Sequence, residues 1–351
     1  MHYFLRSLKT APGTLIAFFA RADLFCYALI WLMILLIIGT LAQQQEGLYL
    51  AQQHYFSVYY FWYKQMIPLP GAYSTLGFIA LALLAKFYQD PWIASKLGTH
   101  VLHLAALLLL LGGFLTAYFS QEGQLTLAPG QSHNALTQDY HTELIITDLT
   151  HHTTTRWDAD LFKHQQQFYE PFVFAIERYC EHCDLDFKPL PQPKNREEAT
   201  PALTLNINTH RYQLHVDVTH PFNITVSQKP YQIAFRHTQI PLPFSITLLS
   251  FKIDFYPKTR IARSYESVVR INDLNTTSQA LISMNKPLHY KGYTFYQASF
   301  IDHPPAPPAT VLAGVKNMGR HFPYLSSLLL CLGLLIHLFQ RLPALWKNAN
   351  T

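Results

Sequence analysis

The chain has 351 residues, of which 50% are hydrophobic, 14% aromatic and only 13% charged. A soluble domain carries about 25% charged residues, so this composition argues against a simple soluble enzyme and against a disordered chain. The formal charge is +5, from 26 Lys and Arg against 21 Asp and Glu. The mean hydropathy of +0.07 is too low for a chain that lies in lipid throughout. Few charges with a mean near zero imply two unlike parts, one in lipid and one in water.

Four windows hold no Asp, Glu, Lys or Arg: Leu24 to Gln45, Gln65 to Ala85, Leu97 to Gln121 and His321 to Gln340. Each is long enough for the ~20 helical residues that cross a hydrocarbon core of ~30 Å. The first reads LFCYALIWLMILLIIGTLAQ. Its apolar core exceeds the ~7–15 residues of a signal peptide, so it is expected to stay as a helix. The second is weaker, because Pro68 and Pro70 break its start; its span begins near Tyr73 and runs past Lys86. The third contains HLAALLLLLGGFLTAYF and the fourth YLSSLLLCLGLLIHLF.

Basic residues orient these windows. Arg6, Lys9 and Arg21 precede the first, Lys86 and Lys96 link the second to the third, and Arg341 and Lys347 follow the fourth, whereas the first link holds only Lys64. The positive-inside rule puts both termini in the cytoplasm and the segment from about Ser120 to Arg320 outside. That outer segment holds 18 basic and 18 acidic residues, and Glu46 cancels Lys64. The whole charge excess is therefore an orientation signal; it implies membrane lipid and no nucleic acid. The expected fold is a membrane protein with four transmembrane α-helices and a large extracytoplasmic β-rich domain, a sandwich or irregular barrel. Its parts are a cytoplasmic N-terminus (1–23), three transmembrane helices with short links (24–119), the β-rich domain (120–320), a fourth transmembrane helix (321–341) and a cytoplasmic tail (342–351). The aromatic run YFSVYYFWY, Tyr55 to Tyr63, reads as an interfacial segment.

The outer domain shows the period-two alternation of half-buried strands. Tyr212, Leu214, Val216 and Val218 face one way; Ile246 and Leu248, then Ile253 and Phe255, suggest a strand with an irregularity between; Tyr293 to Phe300 reads similarly. Proline-rich punctuation at Pro189–Pro193, Pro241–Pro243 and Pro304–Pro308 separates them, and the stretch from Arg156 to Asp184 is ambiguous and open to a helix. His151 and His152 sit in a polar loop.

There is no GxSxG, Walker A loop, HExxH or GxGxxG, which weighs against common proteases and a built-in ATPase. Histidines inside lipid carry more information, because polar groups there are costly and face protein or a cavity. His100 and His103 are three apart near the inner end of the third window, on one helix face. His337 lies near the inner end of the fourth. Such imidazoles bond a neighbouring helix, relay protons or ligate a metal such as haem iron. No Asp or Glu shares these windows, which counts against a proton-coupled pump. Cys180 and Cys183 form a C-x-x-C that allows a disulfide or a thiol-exchange role. Asp184 follows, so it is not the C-x-x-C-H of covalent haem attachment.

Three regions resemble the ResB (CcsB) family of cytochrome c biogenesis, system II. They are ADLFCYALIWLMILLIIGTLAQ with GLYLAQQHYF, then LGTHVLHLAALLLLLGGFLT, then PFSITLLSFKIDFYPKT with SYES and ISMNKPLHYKGYTFYQASF. The stretch from about His141 to Thr200 does not share in it. The resemblance implies a multi-pass protein of the bacterial inner (cytoplasmic) membrane that acts with a separate CcsA (ResC)-like membrane protein to move haem outward and deliver it to apocytochrome c. It implies haem as the cofactor handled and places His103 on the family's membrane histidine, a candidate axial ligand of haem iron, with His100 the less likely match; His337, from its place in the fourth window, is a weaker haem-binding candidate. It leaves open whether the chain is a non-catalytic or co-catalytic subunit of the haem lyase. Two alternatives stand beside it: a membrane-anchored thiol-redox protein using Cys180 and Cys183 to keep apocytochrome cysteines reduced, and a structural chaperone of the partner that binds no haem.

Overall fold

The apolar windows become helices because a helix satisfies every backbone group within its own segment, as lipid requires. A computed structural model describes residues 15–63, 66–163, 166–168, 170–183, 200–208, 210–216, 220–274, 276–302 and 305–349. The chain divides into two compact units, Met1–Ser120 with Met318–Thr351, and Gln121–Asn317.

The first unit holds helices α1 (Ala22–Ala51), α2 (Ala72–Gln89), α3 (Leu97–Phe119) and α4 (Phe322–Ala349). Three segments are long and apolar enough to cross a membrane: Ala22–Gln44, Ala94–Phe119 and Phe322–Leu342. Helix α2 forms where the second window places it, but it is only 18 residues long, and it begins on Tyr73-Ser74-Thr75 and ends on Lys86 and Gln89. Those polar ends leave it outside the group, so the helices show three candidate spans rather than the four expected. Helix α1 is broken at Gly47, whose φ of 80° and ψ of 165° are not helical. A π-helical turn, Gln52–Phe56, then leads into a hairpin of β1 (Tyr60–Tyr63) and β2 (Ile67–Pro70), in register from Tyr60 opposite Pro70 to Tyr63 opposite Ile67. The Trp31 indole donates to the Pro70 carbonyl at 3.0 Å, tying the hairpin to α1. Phe61 is buried; Tyr60, Trp62 and Tyr63 are exposed.

The second unit is β-rich. Its ten-stranded sheet is antiparallel and runs β13 (Thr276–Ser283), β12 (Ala262–Asp273), β11 (Lys229–Phe255), β4 (Ser132–Asp148), β3 (Gln121–Leu127), β16 (Ala309–Lys316), β15 (Tyr293–Ile301), β14 (Leu288–Tyr290). Strand β10 (Phe222–Val226) pairs with β11, and β5 (Thr153–Asp158) with β4. A four-stranded sheet runs β6 (Gln166–Phe168), β7 (Phe174–Cys183), β8 (Thr200–Ile207), β9 (His210–His215). Two cores result. One gathers Phe162, Phe174, Ile176, Leu203, Leu205 and Leu214 against Leu144, Ile146 and Ile233. The other gathers Leu125, Leu136, Phe244, Ile246, Leu248, Val269 and Phe295.

The long strands β4 and β11 contribute to both. Their pairing is interrupted where Pro241 opposite Ala135 gives way to Ile246 opposite His133. The Pro241–Pro243 segment is therefore a step inside one 27-residue strand and not a separator, which corrects the sequence expectation. A proline has no N–H to donate to a ladder and is tolerated where pairing lapses. The irregularity expected between Leu248 and Ile253 is present, as a register shift between Leu248 and Ser250 against β12. Tyr212, Leu214 and Val216 do face one core; Val218 and Pro189–Pro193 lie outside the described residues, and Pro305–Pro308 falls between β15 and β16. The ambiguous stretch from Arg156 folds as the end of β5, a 3-10 turn at Ala159–Lys163, β6 and β7 rather than a longer helix. Gly123 and Gly314 sit opposite each other in β3 and β16. An added Cβ on Gly314 would lie 2.6 Å from Leu136 Cδ2 and one on Gly123 2.9 Å from Leu136 Cβ, so glycines there let β4 pack closely over the pair.

Replacing the fully buried Phe295 by alanine should cost about 3–5 kcal/mol, whereas Tyr296→Ala, at a 44% exposed neighbour, should stay within about 0.5 kcal/mol. Chemical denaturation of the full chain in detergent checks both.

Candidate functional site

The three histidines singled out from the sequence come together at one end of the α3–α4 pair. The helices are antiparallel and unusually close, because glycines stand where they touch. An added Cβ on Gly98 would lie 2.6 Å from the His337 backbone N, one on Gly112 2.3 Å from Phe322 Cβ, and one on Gly333 3.0 Å from Leu102 Cγ. Ala105 and Ser326 are fully buried. Gly98, Ala105 and Gly112 recur every seven residues on α3, as Ser326, Gly333 and Gln340 do on α4. Small residues at such spacing let helices pack without the hydrophobic drive that lipid removes.

Lys96, at the start of α3, supplies no side-chain cap, so the first N–H groups of the helix need other partners. Gln340 provides one. Its Nε2 donates to the Ala94 carbonyl at 2.6 Å, and its Oε1 accepts from the Gly98 N–H at 3.4 Å. Sequence reasoning passed over Gln340; its signal was being the last polar residue of an apolar window.

His100 is 3% exposed. Its Nδ1 lies 2.9 Å from the Lys96 carbonyl oxygen and so carries the proton that it donates there. The lone pair is then on Nε2, which is buried with no hydrogen-bond partner among the described residues. Trp92 and Phe87 close around the ring, with centroids 4.6 Å and 5.6 Å away. The α2–α3 link beneath is tied by Asp90, whose Oδ1 is 3.1 Å from Lys86 Nζ and 3.7 Å from Lys96 Nζ. Burial works to raise the Asp90 carboxyl, but the hydrogen bond and charge of Lys86, with the charge of Lys96, outweigh it and hold the group below its ordinary value. His103 lies one turn further along α3 and is half-buried; His337 is half-buried on α4 with its backbone against Gly98. The shared face of His100 and His103 thus splits chemically: one imidazole is sealed in an aromatic box, and the other still reaches the helix surface.

Cys180 and Cys183 are joined in a disulfide within β7, with Cα atoms 5.9 Å apart. Cys183 is fully buried and Cys180 is 9% exposed, and both pack on Ala202. His151 and His152 occupy the turn before β5. Among the described residues, no three His, Cys, Asp or Glu side chains are arranged to hold a metal ion.

Comparison with known proteins now locates the resemblance. Residues 210–307 match the ResB-like family. Protein NrfI of Wolinella succinogenes is 26% identical over 286 residues, which cover 76% of this chain and 30% of that protein. The chain thus spans about a third of the length of that relative.

The ResB-like segment runs from β9 to just past β15 and carries much of the second core. Its polar residues are locks. Ser267 donates to Gln297 Oε1 at 2.7 Å and lies 2.9 Å from Thr310 Oγ1, which accepts from Gln297 Nε2 at 2.5 Å. This buried ring joins β12 to β15 and β16. Asp273 accepts from Tyr290 at 2.9 Å and pairs with Lys291 at 2.5 Å, bracing the tight turn at Lys291 and Gly292, whose φ angles are 45° and 81°. The Lys291 hydrogen bond, with help from Tyr290 and the Leu274 N–H, holds the Asp273 carboxyl below its ordinary value.

A folded-state pKa below the unfolded value of about 3.9 gives stability that is present above that value and lost as pH falls through the folded one. Asp273→Asn should therefore lower the thermal midpoint by a constant amount from pH 7 to about pH 5. The gap from wild type should close as pH falls below about 4; paired melts across that range check it.

Proposed function

We propose that this protein is a membrane subunit of a cytochrome c biogenesis complex of the system II kind, which moves haem outward and delivers it for covalent attachment to apocytochrome c. The observation that carries the reading is the gathering of His100, His103 and His337 at one end of a tightly packed helix pair, in a chain that also carries a ResB-like segment. On this reading α2 completes a fourth crossing, both termini are cytoplasmic, the complex sits in the bacterial inner membrane and a CcsA (ResC)-like protein is the partner. The aqueous unit lies outside, where it can dock the apocytochrome or brace that partner.

Haem is cargo, a flat and mostly apolar molecule whose iron accepts neutral imidazole. His103 fits it best, because its ring reaches the α3 surface. His100 has its lone pair correctly set by the Lys96 carbonyl, but its Nε2 is shut in by the box. We assign it to holding the start of α3 and orienting the neighbouring turn. Gln340 and the glycine contacts fix α4 against that turn, so the imidazole of His103 is presented from a rigid element. Delivery then works through proximity and orientation, since the cysteine sulfurs of the acceptor are the reacting nucleophiles.

A thiol-redox role fits less well. Thiol exchange needs an accessible sulfur for attack, and Cys183 is fully buried. The disulfide reads as a staple for the bulged end of β7.

Co-expression with the partner tests both points. His103→Ala should lower co-purifying haem, read by absorbance, and cytochrome c maturation by about tenfold or more; unchanged values of both would remove the ligand role. Cys180→Ser should leave maturation within twofold of wild type at normal protein levels, whereas loss that added thiol restores would revive the redox reading.

A further inference from the structure

The β1–β2 hairpin belongs to the helical unit, so its level is set by the helices that hold it. Tyr118, in the last turn of α3, meets it on both sides. The Tyr118 hydroxyl lies 3.1 Å from that of Tyr59, just before β1, and its ring stacks on Tyr73, at the start of α2. Trp31, inside the candidate span Ala22–Gln44, holds the Pro70 carbonyl at the end of β2. A hairpin fastened to the end of one candidate span and to the interior of another lies at or below the bilayer boundary that those spans define.

Strand alternation gives the hairpin two unlike faces. Phe61 is buried, with the rings of Tyr55 and His54 at 5.1 Å and 6.3 Å. Tyr60 and Trp62 point the other way, opposite Pro70 and Pro68 in register, and all four are exposed. Residues 55–70 carry a single charge, on Lys64. The backbone is matched to this face. The Gly71 N–H donates to the Tyr59 carbonyl at 2.9 Å, which marks a hydrogen-bonded pair. Such pairs alternate along an antiparallel ladder, so Tyr60–Pro70 and Trp62–Pro68 turn their backbone groups outward. Proline has no N–H to turn out. The outer edge of β2 therefore shows no donor at 68 or 70, and Trp31 takes the Pro70 carbonyl. Tyr60 and Trp62 keep their N–H groups on the opposite edge. An unsatisfied donor is costly in hydrocarbon. One edge thus suits a poorly hydrated layer, and the other holds the hairpin at the headgroup level, where Tyr and Trp are favoured.

We propose that this hairpin is a lipid-binding wedge, in which Tyr60 and Trp62, with Pro68 and Pro70, lie against phospholipid at the glycerol and upper acyl level. Phe114 and Tyr118, at the end of α3 that the hairpin touches, are exposed as well, so lipid that covers that end of the helix reaches the hairpin. The aromatic run by itself marks only a segment near the interface. The fold divides it, giving Phe61 to the protein and Tyr60 and Trp62 to lipid, and adds the two prolines. The proposal does not depend on the haem-delivery reading.

The test uses the full chain in phosphatidylcholine nanodiscs, with the free cysteines Cys26 and Cys331 replaced by alanine and the buried disulfide kept. A nitroxide is placed on Tyr60→Cys, and its collisions with oxygen and with a water-soluble nickel chelate are measured by electron paramagnetic resonance. Lipids labelled at the headgroup and along the acyl chain calibrate the depth. The expected result is access for oxygen over nickel, at a depth between the headgroup label and the mid-chain label. Adding Trp62→Glu should shift the nitroxide toward water while near-ultraviolet dichroism stays unchanged. Four outcomes overturn the proposal. Nickel reaching the nitroxide as freely as it reaches the headgroup label would put the face in water. Shielding from both reagents would bury it in protein, and shielding only on co-expression with the partner membrane protein would assign it to that interface. A depth unmoved by Trp62→Glu would remove the wedge role.

Discussion

The pairing of β4 with β11 is the interaction on which the aqueous unit depends. A buried strand must meet its backbone groups in a ladder, and these two strands pair from Tyr231 opposite Asp148 to Thr247 opposite Ser132, with two interruptions. Because each serves both cores, neither core is complete without the other's strands. The ladder must also step between the cores, and it does so at Pro241–Pro243, where a proline has no donor to lose. Glycines at 123 and 314 then allow β4 to lie close over β3 and β16.

A related economy governs the helical unit. Lipid supplies no hydrophobic drive between helices, so α3 and α4 rely on close backbone approach and on a few polar contacts. Gln340 meets both ends of that need, capping α3 while anchoring α4. The histidines gather at this most constrained end. On the proposed haem-delivery reading a rigid setting is what the presenting imidazole needs, since misplacement by about 1 Å is costly.

Much of this was legible beforehand. Among the described residues, charge-free windows located the four long helices, because desolvating charge is the strongest penalty a lipid span meets. Alternation located the strand from Ile246 to Phe255 together with its irregularity, and the C-x-x-C spacing allowed the disulfide that forms. Other features misled. Pro241–Pro243 looked like a boundary, since proline usually marks one, and only the cross-strand register shows a continuing strand. The segment from Arg156 to Asp184 has no clean period because its side chains pack on aromatic neighbours such as Phe162, Phe168 and Phe174 instead of facing water alternately.

The sequence by itself determined which segments leave water, since that rests on composition within a window and on a periodicity that side chains carry with them. It also determined which residue types could do chemistry there. The tertiary structure alone decided what each could do. His100 and His103 share a helix face and a residue type; only the approach of Trp92 and Phe87 seals one and leaves the other reaching the surface. Asp273 and Lys291 become a turn lock only because β12 and the β14–β15 turn bring them together from distant positions. The reason is the same throughout: burial and partnership belong to pairs of segments, and no single segment contains them.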